Sequence, residues 1–373
     1  MKNYTFTLFA LLLLFGPALR AQEEVDVLIV EEEEEESSFQ FSGYVDAYYQ
    51  ANFSDGADGT PLAFGTSFTD YTNTFGIGNV NLLAEKSFGK VSFVGQIGFG
   101  PRALAANADS NNGYSGVPGN FASTVQQLYV TYSPSDAVTF TLGNFGTFVG
   151  YEVIDAPANM NYSMSYLFST GPFYHTGAKV DFAIAEGFGA MVGIFNDTDS
   201  KIDLIEGKHL GAQLSAESGG LAAYLNFLYG KDGMGADMDT NDDDTYEFQV
   251  DLTATYEASE NLMFGINASN YATSMDGNAQ GGFFGTALYT TIGAGEGFDL
   301  SLRGEYYTQT AAEGVTGNQP SVIALTASGN IEIGELRIIP ELRYDTGSNG
   351  FTFGEDASDE SAFAFILAGV YSF

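Results

Sequence analysis

Charged residues alternate with apolar residues in several segments of the chain. The charged members of these segments that we take as candidates for lining a pore are Lys179, Asp181, Arg303, Glu305, Arg337, Glu341 and Arg343. Asp46, Glu247, Asp251 and Asp299 are predicted to face the same way. In an extended strand every second side chain points to the same face, so these charges share one face and the apolar residues share the other. A charged face that lines a water-filled passage selects ions by their sign. The alternative is that the arginines pair with the glutamates and only keep the face hydrated.

A second set of polar residues lies in the long connection 149–173, which is rich in Tyr, Asn, Ser and Met. Its candidates for contact with a solute are Glu152, Asp155, Asn161, Tyr162 and Ser165. If the flanking strands enclose a channel, we expect this connection to fold inward and constrict it. Because loops usually stay on the surface, the alternative is a loop packed on the outer rim.

The composition excludes other kinds of chemistry. Without cysteine, the chain has no thiolate ligand, cysteine nucleophile or disulfide. Its 48 acidic residues against 12 basic ones give a net charge of −36, which excludes an electrostatic footprint for nucleic acid. The two histidines, His175 and His209, lack the local signature of a catalytic site. The sequence therefore predicts no enzyme, no catalytic residue, no metal and no cofactor.

The first part of the chain precedes the alternating pattern. Lys2, the apolar run 6–15 and the small residues that follow are typical of a secretory signal peptide over 1–21. The apolar run is too short to span a bilayer as a helix. Residues 22–38 contain consecutive glutamates that repel one another, so this acidic N-terminal segment is predicted to be disordered. We expect one folded unit over 39–373.

From residue 39 onward the chain is built of alternating segments of about ten residues. Residues 246–256 place Tyr, Phe, Val, Leu, Ala and Tyr at every second position, with polar residues between them. About ten residues is the length of a strand that crosses a bilayer at a tilt, whereas strands average about five or six. No apolar stretch of about 18 residues follows the signal peptide, which excludes membrane-spanning helices.

The connections alternate between short and long, and aromatic residues lie at strand ends. Both features are typical of transmembrane β-barrels, with short periplasmic turns, long extracellular loops and aromatic girdles. The long connections include 271–281. Pro340 falls within a predicted strand, where a proline indicates a bulge. The predicted strands are 39–53, 75–86, 91–100, 124–132, 138–148, 174–184, 188–196, 208–216, 221–229, 245–257, 262–270, 282–292, 298–308, 320–328, 335–344 and 362–373. The predicted fold class is therefore all-β, a transmembrane antiparallel β-barrel of about 16 strands around an aqueous channel.

Motifs within 143–182 resemble one family of outer-membrane proteins. They are Gly143-Asn144-Phe145, Gly150-Tyr151-Glu152, residues 159–165 (NMNYSMS) and residues 172–177 (PFYHTG). The opening strand 41–49 also looks like the family's first strand. The chain resembles the β-barrel porin-2 family of Bacteroidota outer-membrane porin-like proteins. The resemblance implies a diffusion porin over 39–373 without naming a substrate. Family members often carry a basic residue where this chain has Met164.

The last strand predicts how the barrel is assembled. Phe373, with Tyr371 and Leu367 at alternate positions, resembles the C-terminal signal read by the barrel-assembly machinery. Outer-membrane lipid would surround the apolar face, and small hydrophilic solutes would pass inside. Homotrimers are usual for porins of sixteen strands, but the sequence does not reveal an interface.

The predicted function is an outer-membrane porin of a Gram-negative bacterium that allows passive diffusion of small hydrophilic solutes or ions. The acidity of the chain indicates a preference for cations. The alternative is a structural or adhesive barrel that does not conduct, because a fold alone does not fix a function.

Overall fold

Sixteen antiparallel strands close into a barrel in the computed structural model of the chain. Each strand pairs with its neighbours in sequence, and the last strand pairs with the first. This arrangement confirms the predicted fold class and strand number. The structure describes residues 39–53, 65–69, 71–108, 121–203, 207–231, 245–353 and 359–373. The predicted signal peptide (1–21) and acidic segment (22–38) lie outside the described residues.

The strand bounds agree with the predicted ones to within a few residues at most ends. The strands are β1 (Gln40–Asn52), β2 (Thr74–Phe88), β3 (Val91–Phe99), β4 (Val125–Ser135), β5 (Val138–Gly146), β6 (Tyr174–Ala185), β7 (Phe188–Phe195), β8 (His209–Ser218), β9 (Leu221–Lys231), β10 (Thr245–Ser259), β11 (Leu262–Met275), β12 (Asn278–Gly293), β13 (Phe298–Thr310), β14 (Ser321–Ile333), β15 (Leu336–Ser348) and β16 (Ser361–Ser372). The connections hold two short α-helices, α1 (Pro101–Ala106) and α2 (Tyr166–Thr170), and 3-10 turns at Phe121–Thr124 and Ala156–Ala158. In the described part of the chain, no helix is long and apolar enough to cross a membrane.

The period-two pattern separates the two faces of the wall. On β13, Leu302 and Tyr306 are exposed on the outer surface, whereas Arg303 and Glu305 are buried inside at 2% and 3% exposure. A charged side chain on the lipid side of a barrel is costly, whereas an apolar one is not. The outer surface is therefore a lipid-facing band, and the charges point into the lumen.

The prediction of a long connection at 271–281 is wrong. β11 and β12 extend to Met275 and Asn278, so only two residues separate them. These residues, Asp276 and Gly277, have φ of 50° and 81°. Positive φ at both central residues is what a type I′ two-residue hairpin turn requires, and Asp-Gly is a favoured pair for it.

Pro340 lies within β15 without the predicted bulge. The register between β14 and β15 is the same on both sides of it, with Ser328 opposite Glu341 and Ile331 opposite Ile338. A Cβ on Gly329 would stand 3.6 Å from the Pro340 ring, an ordinary contact, and 3.1 Å from the Phe298 ring, so this glycine makes room for Phe298 rather than for the proline.

The start of β1 pairs with the end of β16, and this pairing closes the wall at the barrel end that carries the short turns. The N–H of Gly43 donates to the carbonyl of Phe373 (2.9 Å), and the N–H of Phe373 donates to the carbonyl of Gly43 (3.0 Å). The last residue of the chain is therefore part of the seam that closes the barrel.

The packed core lies inside the barrel and is built around one connection. Residues 147–173, hereafter the inner loop, join β5 to β6. Ala156 and Tyr162 of this loop pack against Tyr44, Tyr48 and Ile366 of the wall. Its helix α2 packs against side chains of β12 and β13. The inner loop therefore occupies the lumen.

Candidate functional site

Two glutamates of the wall hold the main chain of the inner loop. Glu341 on β15 accepts the N–H groups of Tyr162 (2.7 Å) and Ser163 (3.0 Å). Glu305 on β13 accepts the N–H groups of the first two residues of α2, at 2.9 Å each. A carboxylate accepting two N–H groups forms charge-assisted hydrogen bonds, and at a helix start it also meets the positive end of the helix. The two glutamates therefore fix the depth of the loop in the lumen.

Arg303 forms an ion pair with Glu152 of the inner loop. It also donates to the carbonyl of Ser163 (2.6 Å). Glu152 in turn accepts the N–H of Ser165 (2.8 Å), and the Ser165 hydroxyl caps α2 by accepting the N–H of Phe168 (3.0 Å). The two charges lie buried between wall and loop, so each depends on the other for its neutralisation.

The other two predicted arginines also bind main-chain carbonyls of the loop. Arg343 pairs with Asp345 (2.8 Å) and donates to the carbonyl of Met164 (2.8 Å). Arg337 donates to the carbonyls of Ala156 (2.8 Å) and Asn159 (3.0 Å). The three arginines thus hold the inner loop against β13–β15.

Asp155 anchors the inner loop on another part of the wall. Its carboxylate accepts from the phenol of Tyr44 (3.1 Å) and from the amides of Gln96 (2.9 Å) and Gln126 (2.8 Å). A half-buried acid is thereby held by neutral donors of β1, β3 and β4. These glutamines were not predicted as site residues, because an uncharged polar side chain inside a barrel has no distinctive sequence signal.

Asn161 and Tyr162 extend the anchoring across the seam of the barrel. Asn161 donates to the hydroxyl of Ser328 (2.7 Å), and the phenol of Tyr162 donates to Asp46 (2.8 Å). Arg102 of α1 lies 3.5 Å from Asp46 and 5.2 Å from the Tyr162 ring centre. Arg102 was not predicted, because it lies in a long connection where no alternation marks the inward face.

Lys179 and Asp181 lie apart from the other ten predicted site residues. They form an ion pair (3.2 Å) on β6 and remain partly accessible. Asp181 lines a cavity of about 70 Å³ beside Gln213, Glu217 and Tyr224. The structure therefore brings ten predicted residues together at the inner loop. It places Lys179 and Asp181 on a part of the wall that the inner loop does not cover. That the twelve residues line a conducting pore remains a prediction.

The glycines of the family-like motif have a packing role. Gly143 and Gly177 lie opposite each other on β5 and β6. A Cβ on either residue would stand 2.2 Å from a main-chain carbonyl oxygen of the adjoining strand. Phe145 and Phe195 pack edge to face beside them, with ring centres 5.9 Å apart. The motif thus fixes the wall from which the inner loop departs.

Asp197, His209 and Glu247 form a buried group whose potential ligand atoms lie within 4.8 Å of one another. Glu247 is 2.6 Å from Nε2 of the histidine, whereas Asp197 is 3.7 Å from Nδ1. The carboxylates thus approach different ring nitrogens, whereas a shared ion would need both at the same one. We interpret the group as an imidazole between two carboxylates that ties the connection after β7 to β8 and β10.

Asp199 should make stability depend on pH. Its carboxylate accepts the N–H groups of Phe173 (2.8 Å) and Tyr174 (3.0 Å), and burial raises its pKa from 3.8 to about 7. The folded chain then binds a proton at Asp199 more tightly than the unfolded chain does. The resulting contribution to the free energy of unfolding is fully present below pH 3.8 and is lost as the pH rises through about 7. We expect Asp199→Asn to flatten the fall in the urea midpoint over this window. An unchanged pH dependence in the variant would contradict the assignment.

The barrel end with short turns carries inward-facing acids. The alternation extends the inner face to Glu85, Asp181, Glu217, Glu257, Asp299 and Glu332. All six are at least partly exposed, and they form what we call the acidic mouth. Lys179 and the buried Arg337 lie among them. Clustered charges of one sign in a cleft concentrate counter-ions.

Comparison with known families identifies the architecture. The model of the family described as "Putative beta-barrel porin-2, OmpL-like" matches residues 38–373. No curated protein matches the sequence.

Several solved outer-membrane proteins share the fold. An anion-selective porin from Comamonas acidovorans is 13% identical over 91% of this chain and 100% of its own, with a TM-score of 0.58. OmpT of Vibrio cholerae in its trimer form is 13% identical over 90% of this chain and 99% of its own, with a TM-score of 0.58. The outer membrane channel DcaP of Acinetobacter baumannii is 14% identical over 93% of this chain and 100% of its own, with a TM-score of 0.56. At these identities the similarity is one of fold.

Proposed function

The chain belongs to the family "Putative beta-barrel porin-2, OmpL-like", and on that basis we propose that it forms a water-filled channel for passive diffusion of small hydrophilic solutes or ions. It is a protein of the outer membrane of Gram-negative bacteria. A barrel of sixteen strands is wide enough for an aqueous passage. The observation that carries the proposal is the inner loop, which is held in the lumen by charged wall residues and would set the width of that passage. Membership in a porin family also favours a channel over an enzyme.

The preference of this channel is for cations. Support comes from the acidic mouth, where Glu217, Glu257 and Glu332 face the lumen. Solutes that enter from the side of the short turns meet the acidic mouth before they reach the inner loop. The sign of the charge at a pore entrance favours ions of opposite charge.

A non-conducting structural or adhesive barrel is the second candidate. The tight fit of the inner loop favours it, because Glu341 and Arg343 are 1% and 0% exposed. In a barrel of this kind the inner loop would serve as a plug.

Planar lipid bilayers with a KCl gradient separate these candidates. We expect discrete current steps and a reversal potential with the sign of cation preference. Glu217→Gln combined with Glu257→Gln and Glu332→Gln should reduce that preference, whereas Glu296→Gln in a turn should reduce it less. A folded barrel without current steps would support the non-conducting candidate, and a reversal potential of anion sign would overturn the cation preference.

We also propose partners for the outer surface and the seam. Outer-membrane lipid contacts the apolar band, and the barrel-assembly machinery reads Phe373 at the seam. A homotrimer is the assembly suggested by the trimer form of OmpT. Cross-linking of the purified protein in detergent tests that assembly.

A further inference from the structure

The inner loop does not fill all parts of the lumen equally. Two inward-facing cavities lie along the arc β5–β11. The first, of about 70 Å³, lies toward the short turns and is lined by Asp181, Gln213 and Glu217. The second, of about 10 Å³, lies between the inner loop and β10–β11 and is lined by Asp251 and Ser269. A space of about 10 Å³ holds no more than about one water molecule.

A thin partition of hydrogen-bonded groups separates the two cavities. Gln213, which lines the first cavity, donates to Asn226 (2.8 Å). Asn226 donates to Asp251 (3.0 Å), which lines the second cavity. Asp251 also accepts the N–H of Gly150 in the inner loop (2.9 Å) and the amide of Asn267 (2.6 Å). Asp251 is therefore the common acceptor of wall and loop at this point.

The main chain of the inner loop borders open space at this partition. Gly150 has φ of 95°, and no atom lies within 4 Å of the position that a Cβ would take, so open space borders the main chain there. On the far arc, in contrast, Arg303, Glu305 and Glu341 all bind the loop through buried charged groups. A displacement of residues 148–150 breaks fewer charged contacts than a displacement of the segment on β13–β15.

We infer that the solute passage runs along the arc β5–β11 and that the contact between Gly150 and Asp251 is its gate. Asp251 is then the residue that a passing cation meets at the narrowest point, where its carboxylate replaces part of the hydration shell. Opening requires the hydrogen bond from Gly150 to break, which joins the two cavities. This inference rests on the proposed channel function.

Thiol modification tests the route, because the natural chain has no cysteine and serves as the reagent control. Ser269→Cys places a thiol in the second cavity, and Ser301→Cys is a matched control in which another buried, inward-facing serine lies on β13, outside the arc β5–β11. With a cationic methanethiosulfonate reagent, we expect the current of the Ser269 variant to fall at least about twofold and the control to keep its current. Block of the control without block of the Ser269 variant would overturn the inference, as would no block of either.

A second variant tests the gate residue. Asp251→Asn keeps the size of the side chain and removes its charge. We expect a loss of cation preference of about twofold or more, with folding checked by the electrophoretic mobility of the unheated barrel. A folded Asp251→Asn barrel with the conductance and reversal potential of the natural chain would overturn the role of Asp251. If the natural chain itself carries no current, the proposed channel function fails, which is a different result.

Discussion

Replacing Arg303 with alanine is expected to destabilise the barrel by about 3–5 kcal/mol, because it leaves a buried charge without its partner. Arg303 and Glu152 form an ion pair between wall and inner loop, and their side chains are 0% and 3% accessible. The substitution also removes the hydrogen bond to the carbonyl of Ser163. Glu152 would have to take up a proton or pull the loop toward water, and both processes cost stability.

Urea unfolding in lipid vesicles measures this loss, and Lys179→Ala provides the control. The side chains of Lys179 and Asp181 are 12% and 13% accessible, so water can reach the charge that remains, and we expect a smaller loss than for Arg303. The double variant Arg303→Met with Glu152→Gln should recover more than half of the loss, because it removes both charges and fills the space. Equal losses for the arginine and lysine variants would show that the buried pair has no special role.

The strands could be predicted because the bilayer imposes a constraint on each of them. One face must be apolar, so alternation marks every strand, and the residues of the inner face follow from it. The predicted loop at 271–281 failed because polar and glycine residues there, such as Asn278 and Gly281, resemble a loop. The local signal for a tight turn, Asp276-Gly277, was present in the sequence and was outweighed by that composition.

The partners of the inward charges could not be predicted in the same way. Glu341 and Arg337 bind main-chain atoms of residues about 180 positions away. Every residue carries an N–H and a carbonyl, with proline lacking the N–H, so such a contact leaves no mark on the residue types of the loop. The sequence left open whether the arginines line a passage or pair with glutamates along the wall. In the structure all three arginines bind the inner loop. Arg343 also pairs along the wall, with Asp345 on the same strand.

Deleting residues 156–165, with a glycine linker from Asp155 to Tyr166, is expected to raise the single-channel conductance about twofold or more. The deleted segment covers β13–β15, so its removal opens a second route beside the arc β5–β11. The new route is lined by Arg303, Arg337 and Arg343, which lose main-chain partners in the deleted segment. Cation preference should therefore fall as conductance rises.

Conductance and reversal potential, measured together in planar bilayers, check both parts of this expectation. Among the described residues, Arg303 keeps Glu152 and Arg343 keeps Asp345 after the deletion, whereas Arg337 loses the carbonyls of residues 156 and 159. Adding Arg337→Gln to the deletion should thus restore much of the cation preference without lowering conductance. An unchanged conductance in a correctly folded deletion variant would mean that this segment does not narrow the lumen. Because the second route bypasses the contact between Gly150 and Asp251, thiol block at Ser269→Cys should become partial in the deletion background.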